Sequence, residues 1–358
     1  MDRQQMSKRR AQELADEADI ENQHAVVTRA EPMDRDRTDE IETVLDDDRE
    51  TLVERLDLDS PPGPITEDAE GWEEAIDALR ESGAKAVATA MRSRVDTLRE
   101  RAERSYPSLL QLGFRPEQPF EFVPGQFARI SYEEEEPRVY SIASSPNAED
   151  MELCIRRVPG GHLTPNLCDR TTEGDDLFLR GPYGDEFMLQ DPTDRDLVFV
   201  ATGTGAAPFK SMIDYTFEEG LDEYEGTERD VWLFVGSSWA DDLPYREAFM
   251  DLADEHDNFH PVMTCSREKH LAEWEGETEY VQHSLLKYLD PEKTDTGSLP
   301  PETEEFVGSD AAYDIDARID PANAEVYVCG IGVMCESVRD VVEPLGVSDL
   351  YYEEESYG

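Results

Sequence analysis

Lysine is nearly absent. Six of the 33 basic residues are lysine and the rest arginine, against 85 aspartates and glutamates. A formal charge of −52 leaves nothing to neutralise a row of phosphates, which excludes a nucleic-acid backbone binder. Docking to anionic membrane is disfavoured for the same reason. No run of 18 apolar residues occurs and the first 30 residues lack the apolar stretch of a signal peptide, so no membrane insertion is expected. Cysteine is scarce and odd in number. Positions 154, 168, 265, 329 and 335 form no CxxC pair, which argues against a disulfide framework and an iron–sulfur cluster. These absences together predict a reduced, cytoplasmic protein. No metal site is expected either: His256 and His260 are four apart, but Asp257, Asn258 and Pro261 make the segment a loop.

What is present is carboxylate, and its excess over lysine reads as adaptation to high salt, where hydrated acidic groups keep a surface solvated and self-repulsion is screened. The 358 residues suggest two domains and an extension. Residues 1–90 are expected to be an acidic extension, largely disordered, with a solvated stretch to about residue 70 ending in a Pro-rich linker at 59–64 and a helix near 71–82 where Trp72, Ala75, Ile76 and Leu79 fall at helical spacing. Residues 91–191 show short strands and turn signals that suit a small antiparallel barrel. Val87, Met91, Val95 and Leu98 also fit a helix, so two starting points for the barrel stay open. Residues 192–358 alternate apolar strands with amphipathic helices, the pattern of a parallel sheet covered on both faces, interrupted by an acidic insertion at 291–320 that reads as surface.

The strongest single motif runs from Ala201 to Pro208, Ala-Thr-Gly-Thr-Gly-Ala-Ala-Pro, directly after a strand and opening a helix. Gly203 and Gly205 let the backbone approach a pyrophosphate, to which the helix presents free N–H groups and a positive dipole end. Pro208 suits the first helical turn, where its missing N–H is harmless.

Seven motifs occur in one order: Arg138-Val-Tyr-Ser141, Gly161-His-Leu-Thr164 with Leu167-Cys-Asp169, Gly181-Pro-Tyr-Gly184, the Thr-Gly-Thr-Gly turn, Cys265-Ser-Arg267, Tyr280-Val-Gln282 and Tyr327-Val-Cys-Gly330. The set resembles the ferredoxin–NADP reductase family, above all its plant-type branch. The resemblance implies an antiparallel β-barrel FAD domain followed by an α/β parallel-sheet nucleotide-binding domain, here behind an acidic N-terminal extension. It implies that Arg138 pairs with the FAD pyrophosphate, that Tyr140 packs on the isoalloxazine and that the Ser141 hydroxyl bonds flavin N5. Leu163 and Thr164 would stand near the same pyrophosphate, and Cys154, Ile155 and Arg156 beside the adenosine half. For NADP it implies Thr202, Gly203, Thr204 and Gly205 at the pyrophosphate, and Ser266, Arg267 and Tyr280 at the 2′-phosphate. Ser237, Gln282 and Gly330 complete the implied cofactor contacts. Cys329 and Glu355 would flank the nicotinamide–flavin contact, and Tyr357 would cover the flavin. The implied activity moves electrons between NADPH and a separate one-electron carrier, a ferredoxin or flavodoxin, with Ser141, Cys329 and Glu355 as the catalytic set. The alternatives are a reductase component of an oxygenase or other flavin system, and a non-catalytic electron-transfer subunit.

Overall fold

Along residues 23–32 buried and outward-facing positions alternate, with Ala25 and Val27 in the core and Val26 exposed, as in a half-buried strand. The computed structural model describes residues 5–17, 23–132 and 135–357; Glu133 and Glu134 of the acidic turn and the terminal Gly358 lie outside these. Helix α1 (Gln5–Glu17) and strand β1 (Gln23–Pro32) open the chain. The expectation of a solvated, largely disordered extension is therefore corrected. A short apolar run, Ala25-Val26-Val27, is enough to seat a strand when both of its edges are paired, as those of β1 are below.

After β1 the chain makes a helical excursion, and residues 34–108 together with 267–274 form a compact unit of their own. Three helices, α2 (Thr38–Leu56), α3 (Ala69–Glu81) and α4 (Lys85–Ala102), pack on one another. Each contributes a narrow apolar stripe: Ile41, Leu45 and Leu52; Trp72, Ala75, Ile76 and Leu79; Ala88, Met91, Val95 and Leu98. Asp68 caps α3 by accepting from Gly71 N at 3.2 Å. Trp72 is fully buried and donates its indole N–H to Gly63 O at 3.0 Å. The ambiguous stretch at 87–98 is helix, and the barrel does not begin at 91. The two ends of the excursion meet, with Ser108 N donating to the Asp34 carboxylate at 2.9 Å.

The second unit holds residues 1–33, 109–266 and 275–358. Its first sheet comprises β1, β2 (Leu109–Pro116), β3 (Phe127–Tyr132), β4 (Arg138–Ser141), β5 (Met151–Arg156) and β6 (Asp176–Tyr183), in the order β4-β3-β6-β1-β2-β5. All pairings are antiparallel, and a bridge between Ile142 and Leu153 joins the ends into a near-closed barrel. Helix α5 (Leu163–Arg170) buries Leu163 and Leu167 in the barrel core with Phe114, Ile130, Ile155 and Leu179.

From residue 196 the chain builds a five-stranded parallel sheet of β7 (Asp196–Thr202), β10 (Val231–Ser237), β11 (Phe259–Cys265), β12 (Ala324–Ile331) and β13 (Tyr352–Tyr357), in the order β11-β10-β7-β12-β13. A two-residue-stranded hairpin, β8 (Glu223–Tyr224) and β9 (Thr227–Glu228), decorates it. Helices α6 (Ala206–Glu218) and α7 (Arg246–Glu255) follow β7 and β10, α8 (Val281–Lys287) follows β11, and α10 (Gly332–Val342) follows β12; the single-turn α9 (Pro301–Glu304) precedes β12. Val198, Val200, Trp232 and Phe234 pack with α8 and α10 on one face, while Phe199 meets Phe209 of α6 at a tilt on the other. The 291–320 segment is more than a surface insertion: Leu299 and Ile319 are buried, and Phe306, Val307, Tyr313 and Ile315 pack on the sheet core. Its apolar residues come in ones to threes among acids, so its mean composition hides them.

Candidate functional site

In an open parallel sheet a ligand crevice forms where the strand order reverses, outside the carboxyl ends. Here that reversal lies between β7 and β12, and the Gly-rich motif turns there. Thr202 ends β7, residues 203–205 make a single 3₁₀ turn, and α6 begins at Ala206. Gly203 has φ +52°, the left-handed region that side-chain-bearing residues avoid. At Gly205 a Cβ would stand 2.1 Å from Cys329 O, so only glycine lets the turn press against β12. The Thr202 hydroxyl is buried without a hydrogen-bond partner. An unsatisfied hydroxyl beside the open N-terminus of a 13-residue helix suits an anionic ligand.

The C-terminal strand brings further groups to the same turn. Register pairs Cys329 with Glu355, Gly330 with Ser356 and Ile331 with Tyr357. The Tyr357 hydroxyl donates to Thr202 O at 2.7 Å and accepts from Gly205 N at 2.8 Å. Burial pushes this phenol up to about 12. It also pushes the Glu355 carboxyl up to about 7, so near neutrality that group can hold or release a proton. The Cys329 thiol is raised well above its usual value by burial and by the Glu355 carboxylate, so it stays protonated.

The barrel contributes its side from β4, β5 and α5. Arg138 is exposed, its guanidinium 3.1 Å from Glu136 Oε2. Tyr140 is half-buried against the barrel core, its phenol raised by burial despite the neighbouring Arg138. Ser141, which pairs with Phe127, is half-buried. Thr164 Oγ1 accepts from Val158 N at 2.9 Å and so fixes the loop ahead of α5. Ile155 and Leu163 send their side chains into the barrel core. Cys154 is buried as well, which raises its thiol to about 12. Arg156, at the end of β5, reaches the turn: its Nη2 lies 3.9 Å from where a Cβ at Gly203 would be, and its Nη1 bonds Asp242 Oδ1 at 3.1 Å.

Of the other residues singled out from the motifs, Ser237 directly follows Gly236, the register partner of Thr202. Ser266 N donates to Ser237 O at 3.1 Å, joining the ends of β11 and β10. Tyr280 is 68% exposed at the start of α8, and Gln282 is half-buried two residues on. Arg267 belongs to the helical unit, where it pairs with Glu100 at 2.9 Å. His256 stacks on Phe217, and His260, on β11 rather than in a loop, bonds Asp230 at 2.9 Å. Asp242 was not among the candidates. It is 3% exposed and 86 residues from Arg156, and no local pattern marks it. Strand β13 was missed too, because Tyr-Glu-Glu-Glu-Ser-Tyr has no apolar alternation.

The donor sets fit a flavin and a dinucleotide: a glycine turn with an orphaned hydroxyl, an accessible arginine on β4, and a tyrosine half-buried beside it. Comparison with known proteins agrees. Residues 108–187 match the family described as oxidoreductase FAD-binding domain, and residues 199–340 the oxidoreductase NAD-binding domain. The chain is 28% identical over 226 residues to the chloroplastic ferredoxin–NADP reductase leaf isozyme 1 of Oryza sativa subsp. indica, covering 59% of this chain and 55% of that protein. It is 34% identical over 146 residues to the reductase component of the naphthalene 1,2-dioxygenase system of Pseudomonas putida, covering 41% and 42%. Among solved structures, a ferredoxin NADP+ reductase from Neisseria gonorrhoeae with bound FAD and NADP shares the fold at TM-score 0.52 and 19% identity, covering 70% of this chain and 93% of that one. The chain spans about half the length of the curated relatives it matches.

Proposed function

From the premise that residues 108–187 and 199–340 are the FAD-binding and NAD-binding halves of a ferredoxin–NADP reductase-like flavin reductase module, we propose that the protein moves electrons between NADPH and a one-electron carrier, a ferredoxin or flavodoxin. Bound FAD supplies the chemistry, taking electrons in pairs from reduced nicotinamide and releasing them singly. The chain supplies position and electrostatics. Arg138, Tyr140, Ser141, Leu163 and Thr164, with Cys154, Ile155 and Arg156, hold the flavin nucleotide. Thr202, Gly203, Thr204 and Gly205 take the coenzyme pyrophosphate, and Ser237, Ser266, Arg267, Tyr280 and Gln282 its adenosine end. Cys329, Gly330 and Glu355 orient the nicotinamide toward Ser141, with Glu355 able to hold a proton, and Tyr357 screens the flavin face from water.

The observation that carries this reading is the turn at the strand reversal, where the orphaned Thr202 hydroxyl, Gly205, Cys329 and Glu355 converge from β7, β12 and β13. The likeness to a dioxygenase reductase component keeps one second reading, delivery of electrons to an oxygenase. We further infer a reducing cytoplasmic setting, since all five cysteines are buried and none is in a disulfide, and adaptation to molar salt from the charge of −52. No helix among the described residues is long and apolar enough to cross a membrane. The test is a visible spectrum in multi-molar KCl: the purified protein is expected to be yellow, to hold one FAD per chain and to be bleached by anaerobic NADPH. A colourless protein that takes up no added FAD sinks the reading. Reduction of a co-purified ferredoxin, or of an oxygenase, then separates the two acceptors.

A further inference from the structure

Strand β11 lies at one edge of the parallel sheet, and Glu277 pairs with that edge as a single-residue bridge. Glu277 N donates to Met263 O at 3.1 Å, and Cys265 N donates to Glu277 O at 2.8 Å. The Glu277 side chain is 2% exposed and joins three parts of the fold. Its Oε2 accepts from Lys287, at the end of α8, at 2.7 Å. Its Oε1 accepts from the Tyr288 hydroxyl at 2.8 Å and from Ala312 N at 2.7 Å. The Tyr288 hydroxyl accepts in turn from Tyr313 N at 3.2 Å. A buried carboxylate cannot shed such donors without stranding its charge, so α8 and the 291–320 segment are tied to one point of the sheet edge. The neck of the segment is closed as well, with Asp290 N bonded to Ile319 O at 2.8 Å and Ile319 N to Tyr288 O at 2.9 Å.

From that anchorage the segment delivers one flat ring. Phe306 follows α9, its N bonded to Thr303 O at 3.2 Å. It lies on the His283 imidazole with ring centroids 4.3 Å apart and planes 8° from parallel. His283 stands three residues after Tyr280, close to one helical turn, and those two rings are 6.5 Å apart at 58°. The Thr264 hydroxyl donates to Glu279 O and so fixes the chain as it enters α8. The backing runs Phe306, His283, Tyr280, and Tyr280, 68% exposed, is its open end. An exposed ring that turns freely loses that freedom when a base stacks on it, whereas a ring already held on one side has less to lose.

We propose that the 291–320 segment is a working part of the coenzyme site, in which Phe306 is a positioning residue that acts through His283 to hold the Tyr280 ring for an adenine base. The inference rests on the placement of the coenzyme's adenosine end at Tyr280 proposed above. Phe306 touches no coenzyme in this arrangement. It raises affinity for adenine-bearing ligands by fixing the ring on which they stack, and Glu277 is the fixed point from which it does so.

The test is calorimetric titration of the full FAD-loaded chain with ADP-ribose in 1 M KCl. Phe306→Ala should weaken ADP-ribose about three- to tenfold. In NADPH-driven ferricyanide reduction the same variant should raise KM by a like factor and leave kcat unchanged, because the stack binds ground state and transition state equally. Phe306→Tyr keeps the flat face and should bind ADP-ribose within about twofold of wild type. Tyr280→Ala is the reference and should lose at least as much affinity as Phe306→Ala. If Tyr280→Ala weakens ADP-ribose while Phe306→Ala does not, the adenosine placement stands and this inference alone is overturned. A Phe306→Ala loss that falls on kcat, or that Phe306→Tyr fails to restore, means the ring only supports the fold and overturns the inference too. If Tyr280→Ala changes nothing, the adenosine placement fails and the inference with it.

Discussion

Glu355 is where a single side chain carries a pH dependence. Burial raises its carboxyl from 4.5 to about 7, so between these values the folded chain holds a proton that the unfolded chain has lost. Stability from this group is therefore greatest below the unfolded value and falls as pH rises through about 7, where a buried carboxylate must ionise. Glu355→Gln removes that loss. Its unfolding temperature should match wild type at pH 5 and exceed it at pH 8, read by fluorescence in molar salt. A constant offset at both pH values counts against a shifted carboxyl. The neighbouring Cys329 thiol, held protonated by burial, adds no second step in that range.

Among the elements, β1 does the most that its composition conceals. It runs between β6 and β2, paired on both edges, so the barrel has no continuous sheet without it. Val27→Asp places a carboxylate where the side chain is 1% exposed and should cost about 3 kcal/mol or more, whereas Val26→Asp, on the outward face, should stay within about 0.5 kcal/mol. Chemical denaturation of the two variants decides it, and equal losses would mean that β1 is not seated in this register. The FAD-binding and NAD-binding domains were legible because the motifs within them are contiguous and chemically specific, as at Arg138–Ser141 and Thr202–Gly205. The N-terminal elements were not. Ala25 and Val27 are too few to raise mean hydropathy, and α2 buries only Ile41, Leu45 and Leu52 among its acids. Arg37 and Glu268 are 231 residues apart, a spacing at which charge pairing leaves no pattern to read.

For the molecule as a whole, 85 acidic residues against 33 basic ones oppose folding by mutual repulsion. The Debye length shrinks from about 10 Å at 0.1 M salt to about 3 Å at 1 M, so that repulsion is nearly removed. The unfolding midpoint should rise steadily between 0.1 and 2 M KCl, and a flat or falling curve would falsify salt adaptation. The excursion of residues 34–108 has a different consequence, one of assembly order. Those 75 residues join two strands that pair directly, with Met33 N bonded to Leu109 O at 2.9 Å. Closing so long a disordered loop is entropically worse than closing a two-residue turn by about 3 kcal/mol. Once α2–α4 have packed, Asp34 and Ser108 are already tied together and β1 meets β2 as the arms of an ordinary hairpin. Folding of the three helices thus turns the pairing of β1 with β2 from a distant contact into a local one.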